Sequence, residues 1–282
     1  MSEPKDPQAP LAEWLRARYG AAIPAVPAMA ETETLRAMAR HRTMRHYTDQ
    51  PVDPDLLRTL AAVALAAPSK SDLQQADIVI VQDAGQRAAL AALLPDNPWA
   101  KSAPAFLVFC GNNRRQRRLH ALRGHGFAND HLDAFFNAAV EAGIVLGSFV
   151  AAAESVGLGT CPISAIRNLP DEVASVLSLP AHVFPVAGLC VGWPSGFTAL
   201  TPRLPLSATL HIDRHDDAGL DAAIEEYDAR RDRDKPVRAR RRDDLFGADQ
   251  PYTWSEDKAR QYAQPERTGW GAFLRRIGFR LD

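Results

Sequence analysis

Cysteine is scarce in this 282-residue chain: there are three, Cys110, Cys161 and Cys190, each beside apolar residues. An odd count without a CxxC pair supports neither a disulfide framework nor a zinc cage, and a reducing cytoplasm fits such usage. Excess charge is also missing, since 33 Lys and Arg face 34 Asp and Glu for a formal net charge of -1. The whole chain therefore has no global field to gather nucleic acid or an anionic membrane. There is no GxSxG elbow, and Gly157 and Gly159 lack the third glycine of a dinucleotide fingerprint, so a serine hydrolase and a Rossmann site both lose support. The most apolar stretch, residues 140–153, contains Glu141 and closes on Glu154. It falls short of the roughly 18 uninterrupted apolar residues of a membrane span and reads as a buried helix. Glu3, Lys5 and Asp6 precede any apolar run, which is the wrong order for a secretory signal.

What is present, 46% apolar and 24% charged residues, matches a soluble protein of one large or two small domains. Residues 1–30 alternate alanine, proline and charge around Trp14 and Tyr19 and read as a loosely attached arm. Thr32 caps a helix, and Asp53-Pro54 starts a second one with the stripe Leu56, Leu57, Leu60, Val63 and Ala64. Residues 78–81, 106–110 and 184–191 read as buried strands, and their separation by helices suggests α/β layering. Residues 130–156 form a long helix, apolar nearly all round, whose faces should both be covered. Residues 217–230 read as an amphipathic helix followed by a mixed Arg, Asp and Lys stretch. The expected division is an arm (1–30), a core (31–215) and a C-terminal extension (216–282).

Four segments carry candidate chemistry. Arg42 and Arg45, three apart at a helix end, would share one side of a helical turn and fork onto a phosphate, joined by Arg203 in a proline-fixed loop. A polar loop at residues 67–74 follows a proline-stopped helix. Residues 157–167 form a turn of small residues, suited to close backbone approach to a planar ring. A buried strand ends on Gly192-Trp193-Pro194. Each is ordinary alone: a basic face, an αβ turn, a helix cap and a strand end.

In this order and spacing they resemble the nitroreductase family, near its oxygen-insensitive NADPH nitroreductase and NADPH-flavin oxidoreductase branch. The resemblance rests on HRTMRHYTDQPV at 41–52, ESVGLG at 154–159, IRN at 166–168, LCVGWP at 189–194, PRLP at 202–205, EYD at 226–228 and TWS at 253–255. It implies an α+β fold on a mostly antiparallel central sheet flanked by helices, and an intertwined homodimer around the long helix. It also implies FMN held by His41, Arg42, Thr43, Arg45 and Arg203, with Ser69 and Ser71 facing ring and substrate. Asn97 would stand beside the ring, and Ile163, Ser164 and Ala165 would present their backbone to it. Ser164-Ala165 replaces a usual glycine pair, and Thr201 stands where close relatives carry a phosphate-binding lysine. Arg167, Arg238 and Arg240 are candidates for the nucleotide.

The implied activity is hydride transfer from NADPH, with NADH as a second donor, to nitroaromatic, quinone or flavin acceptors by a ping-pong course. No catalytic side chain and no metal are required, because the cofactor carries the redox chemistry. The expected partners are a second copy and a small-molecule acceptor, with no nucleic acid and no membrane. Three other readings stand beside it. A reductive dehalogenase would use the same scaffold. The pair His211 and His215 has the i, i+4 spacing of metal ligands but no third ligand. A nucleic-acid or partner-binding module on residues 230–242 is opposed by the interleaved Asp228, Asp232, Asp234, Asp243 and Asp244.

Overall fold

Thr32 and Asp53 do cap helices, each side chain accepting a backbone N–H of the first turn. In the computed structural model the described residues are 3–23, 31–196, 198–237, 239–248 and 251–282. The elements run α1 (Leu11–Tyr19), α2 (Glu33–Ala39), α3 (Pro54–Leu65), β1 (Ala76–Ile80), α4 (Ala84–Ala92), α5 (Trp99–Ser102), β2 (Ala105–Asn112) and α6 (Arg114–Leu122). They continue α7 (Leu132–Ser155), β3 (Gly159–Ile163), α8 (Pro170–Val176), β4 (Val183–Gly192), α9 (Leu220–Asp234), α10 (Asp243–Phe246), α11 (Trp254–Gln261) and α12 (Trp270–Arg276). The chain divides into two compact units, residues 1–42 with 199–266 and residues 43–198 with 267–282. This division differs from one at residues 30 and 215.

In the second unit the four strands are ordered β1-β2-β4-β3, and every pairing is antiparallel. Alternating strands and helices in a sequence do not reveal strand direction, which is why the pattern alone suggests α/β layering and the sheet is α+β. Successive side chains on a strand face opposite ways, so β2 supplies both cores. Leu107 and Phe109 pack with Leu57 and Leu60 of α3 and Val145 and Phe149 of α7. Phe106, Val108 and Cys110 pack with Leu90 of α4 and Val173 of α8 on the other face. The α3 stripe turns slightly from the sequence pattern, burying Ala61 and leaving Val63 exposed.

A Cβ on Gly192 would lie 2.6 Å from Pro104 Cδ and 2.8 Å from Tyr47 Cδ1. Gly192→Ala is expected to destabilise the protein by about 1–3 kcal/mol through this overpacking. An unchanged urea midpoint would show that Tyr47 and Pro104 yield.

Helix α7 is covered on one of its faces by its own chain. Its face of Ala138, Ala142, Val145, Phe149 and Ala153 is buried, but Leu132, Phe136, Val140 and Ile144 are 41–58% exposed. Gly143 and Gly147 lie on the same open face with nothing within 4 Å of an added Cβ. One face is therefore covered within the chain, not both. Among the described residues α7 is the one helix long and apolar enough to cross a bilayer, yet its inner face packs on the sheet of the unit described above.

The first unit corrects the reading of residues 1–30 as a loose arm. Trp14 is 2% exposed and packs with Ala9 and Leu200. Arg18, almost fully buried, donates to the carbonyls of Ala39 (2.8 Å), His41 (2.7 Å) and Thr201 (2.7 Å). A cation aimed at three carbonyls leaves no apolar periodicity to read. Residues 24–30 of that segment lie outside the described residues.

Candidate flavin site

The basic segment after α2 is not helical. Thr43 forms a parallel bridge with Thr160 of β3, Met44 N donates to Thr160 O at 2.8 Å, and Tyr47 bridges Pro194. In extended chain, residues three apart point to opposite faces, so Arg42 and Arg45 do not share one side of a turn. Arg42 donates to Glu3 Oε1 at 3.1 Å and to Arg40 O at 2.8 Å, and lies 5.3 Å from the Trp14 ring centroid. Its charge is already met by a carboxylate. Arg45 is exposed, lies 5.0 Å over Trp99, and has no carboxylate partner among the described residues. His41 engages other groups and is half-buried.

Asn97 sits two residues before Trp99, its Nδ2 donating to Asp96 O at 3.1 Å while its Oδ1 is buried without a partner. Such an orphaned acceptor is rare in a folded protein and calls for an explanation. Ile163 closes β3, and Ser164 and Ala165 open the short 3-10 turn of residues 164–167. Arg267 donates to Asn168 Oδ1 at 2.9 Å and reaches Ser164 Oγ at 3.4 Å, a neighbour that sequence reading missed because 99 residues separate it from Asn168.

The loop between α3 and β1 is conformationally costly. Ser71, Asp72 and Gln74 have φ of 52°, 55° and 51°, the left-handed region, which costs roughly 1–2 kcal/mol for each non-glycine residue. Ser69 Oγ accepts from Gln74 N at 2.7 Å and donates to Glu141 Oε1 at 3.1 Å.

In the first unit, Arg203 is exposed, its Nη1 reaches only the carbonyls of Thr201 and Pro202 at 3.3 Å, and no carboxylate pairs with it among the described residues. Lys235, the residue capping α9, donates from Nζ to Thr201 Oγ1 at 3.2 Å. A lysine distant in sequence thus stands at the threonine that occupies the expected lysine position.

The nucleotide candidates are more constrained than a free basic loop. Arg167 donates to Val186 O, and burial, followed by the nearby Arg267 charge, lowers its pKa. Arg240 pairs with Asp243 at 3.1 Å and stacks on Tyr252, Arg241 pairs with Asp257 at 3.0 Å, and Arg242 with Asp244 at 3.5 Å. Arg260, whose side chain is 2% exposed, ties Asp243 and Glu256 together. Arg238 lies outside the described residues. His211 and His215 stack at 4.4 Å, and no group of three potential metal ligands occurs among the described residues.

The family described as "Nitroreductase family" matches residues 38–193, and "Nitroreductase family, C-terminal domain" matches residues 201–282. The chain is 38% identical over 201 residues, 70% of its length and 80% of the relative's, to an FMN reductase, NAD(P)H-using by name, of Bacillus subtilis (strain 168). It is 34% identical over 182 residues, 64% and 74% of the two chains, to an oxygen-insensitive NADPH nitroreductase of Salmonella typhimurium. Among solved structures, NfrA2 of B. megaterium superposes with a TM-score of 0.81 at 35% identity, over 89% of this chain and 100% of that one.

Proposed function

Because the chain belongs to the nitroreductase family, we propose that it is an FMN-dependent oxidoreductase that takes hydride from NAD(P)H and passes it to a small-molecule acceptor. The observation that carries this reading is local: a carboxylate-free Arg45 lies over Trp99, two residues from the orphaned Asn97 Oδ1. These groups fit a phosphorylated flavin, which offers an anion to a guanidinium and a ring N–H to a buried acceptor. When bound, the flavin supplies the redox chemistry, and the protein supplies binding, orientation and electrostatics. Arg45 is the candidate phosphate ligand of the unit of residues 43–198, and Arg203, with Lys235 at Thr201, is the separate candidate of the other unit. Asn97 would orient the ring, and the backbone at Ile163, Ser164 and Ala165 would line it. No side chain needs to act as an acid. Donor and acceptor using the ring in turn gives ping-pong kinetics.

The acceptors of this reading are nitroaromatics, quinones or free flavin, its assembly a homodimer, and its compartment the cytoplasm. The test is the visible spectrum of the purified protein followed by quinone reduction. A flavin band and NAD(P)H-driven turnover are expected, and a colourless protein that added FMN cannot reconstitute would end the reading.

The finer assignment is NADPH over NADH. An arginine fork suits the additional phosphate, and residues 230–242 supply seven arginines, although carboxylates already hold four of them, Arg233, Arg240, Arg241 and Arg242. A kcat/KM about tenfold higher with NADPH is expected, from roughly one charge-assisted contact. Neutralising Arg238, Arg240 and Arg242 together should bring the ratio near one. A preference unmoved by that triple variant would assign the region to structure alone.

A further inference from the structure

Two costly features meet at one place in the unit of residues 43–198. Glu141, on the inner side of α7, is 4% exposed, and no Lys or Arg pairs with it among the described residues. An isolated buried carboxylate is unfavourable unless something compensates it. Beside it lies the loop of residues 69–75 with its three left-handed residues, none of them glycine. Both features work against stability, and such features cluster where a fold holds a segment for function.

The hydrogen bonds show what links them. Glu141 Oε1 accepts from Ser69 Oγ at 3.1 Å and also from Gln75 N, while Ser69 Oγ accepts from Gln74 N at 2.7 Å. One carboxylate oxygen therefore pins the two ends of the loop, Ser69 and Gln75, with the left-handed residues between them. Oε2 is buried without a partner, as is Nε2 of Gln75. Glu141 also lines, with Ser69, Gln74 and Arg115, a cavity of about 510 Å³ between α3, β1 and α7.

We infer that Glu141 is the positioning residue of this loop: through Ser69 and Gln75 it fixes the left-handed conformation that presents Ser71. Ser69 is then a relay whose donor is spent on Glu141, and Ser71 is the serine left for ring or acceptor. The inference rests on the proposed flavin reading for its functional part. Its structural part, the clamp, stands without it.

The experiment uses the full-length protein and the variants Glu141→Gln, Glu141→Leu and Ser69→Ala. Glu141→Gln keeps an acceptor oxygen, whereas Glu141→Leu removes it. In hydrogen exchange, the amides of Gln74 and Gln75 are expected to exchange about tenfold or more faster in Glu141→Leu, as loss of a charge-assisted bond implies, and within about threefold of wild type in Glu141→Gln. In steady state with menadione as the quinone, KM for the quinone should rise about tenfold in Glu141→Leu while kcat changes less than about threefold, and Glu141→Gln should recover most of it. If Glu141→Leu does not fold, Ser69→Ala carries the test, because it breaks the same clamp from the loop side. Its Gln74 amide must lose protection, and Ser69→Ala with Glu141→Gln must be no worse than Ser69→Ala alone. Unchanged exchange in Glu141→Leu, or in Ser69→Ala where that variant stands in, overturns the clamp. Faster exchange with KM unmoved in a flavin-loaded variant overturns the positioning role. Wild type that fails to bind FMN overturns the flavin reading instead, and the exchange arm still decides the clamp.

Discussion

Arg45→Ala and Arg203→Ala are each expected to weaken FMN binding by about ten- to a hundredfold, because a charge-assisted hydrogen bond to an anion is worth about 1.5–3 kcal/mol. Neither guanidinium has a carboxylate partner among the described residues, so neither loss is offset by releasing an existing ion pair. Lys235→Ala should follow in the same direction with a smaller effect, since its ammonium is held through Thr201 Oγ1. Arg42→Ala should change affinity by less than about threefold, because Glu3 already takes its charge. Titration of apoprotein with FMN, followed by quenching of flavin fluorescence, gives all four values. If Arg42→Ala is the most damaging, the Glu3 pair must open on binding and the assignment of Arg45 is wrong.

The second large effect is on assembly. Leu132, Phe136, Val140 and Ile144 form an exposed apolar stripe on α7, and each such side chain stabilises by about 1.5–3 kcal/mol when fully buried. A contiguous apolar face of this kind marks an interaction surface, and the open Gly143 and Gly147 let a second helix approach closely. Ile144→Asp is expected to turn a dimer into a monomer at micromolar concentration, with its folded circular-dichroism signal retained, because Ile144 takes no part in the buried core of its own chain. Light scattering that gives the same mass for Ile144→Asp and wild type would place the interface elsewhere.

Legibility in the sequence followed chemistry that repeats or punctuates. The caps at Thr32 and Asp53 and the buried strands at 78–81, 106–110 and 184–191 are readable, because capping and short apolar runs are local signals. Strand direction is not, since antiparallel return is a property of the connections. The spacing of Arg42 and Arg45 suits one side of a helical turn, but the pairing of Thr43 with Thr160 takes that segment along β3. Residues joined across the chain, such as Lys235 to Thr201, Arg18 to Thr201 and Arg267 to Asn168, leave no spacing signal at all. The helix Arg114–Leu122 likewise escapes apolar periodicity, because it buries none of its residues. The basic stretch after Asp228 reads correctly as charge-cancelled, yet its organising residue, the buried Arg260, lies beyond it.

The three thiols carry a chemical consequence. Cys110, Cys161 and Cys190 are all 0–1% exposed within the sheet of their unit, and burial pushes the Cys110 thiol up to about 12. Thiolates, not thiols, are the nucleophiles of cysteine chemistry. A catalyst that handles quinones works beside Michael acceptors, and those electrophiles consume accessible thiolates. This chain offers them no exposed thiol, so a quinone acceptor of the kind proposed above would find no cysteine to alkylate.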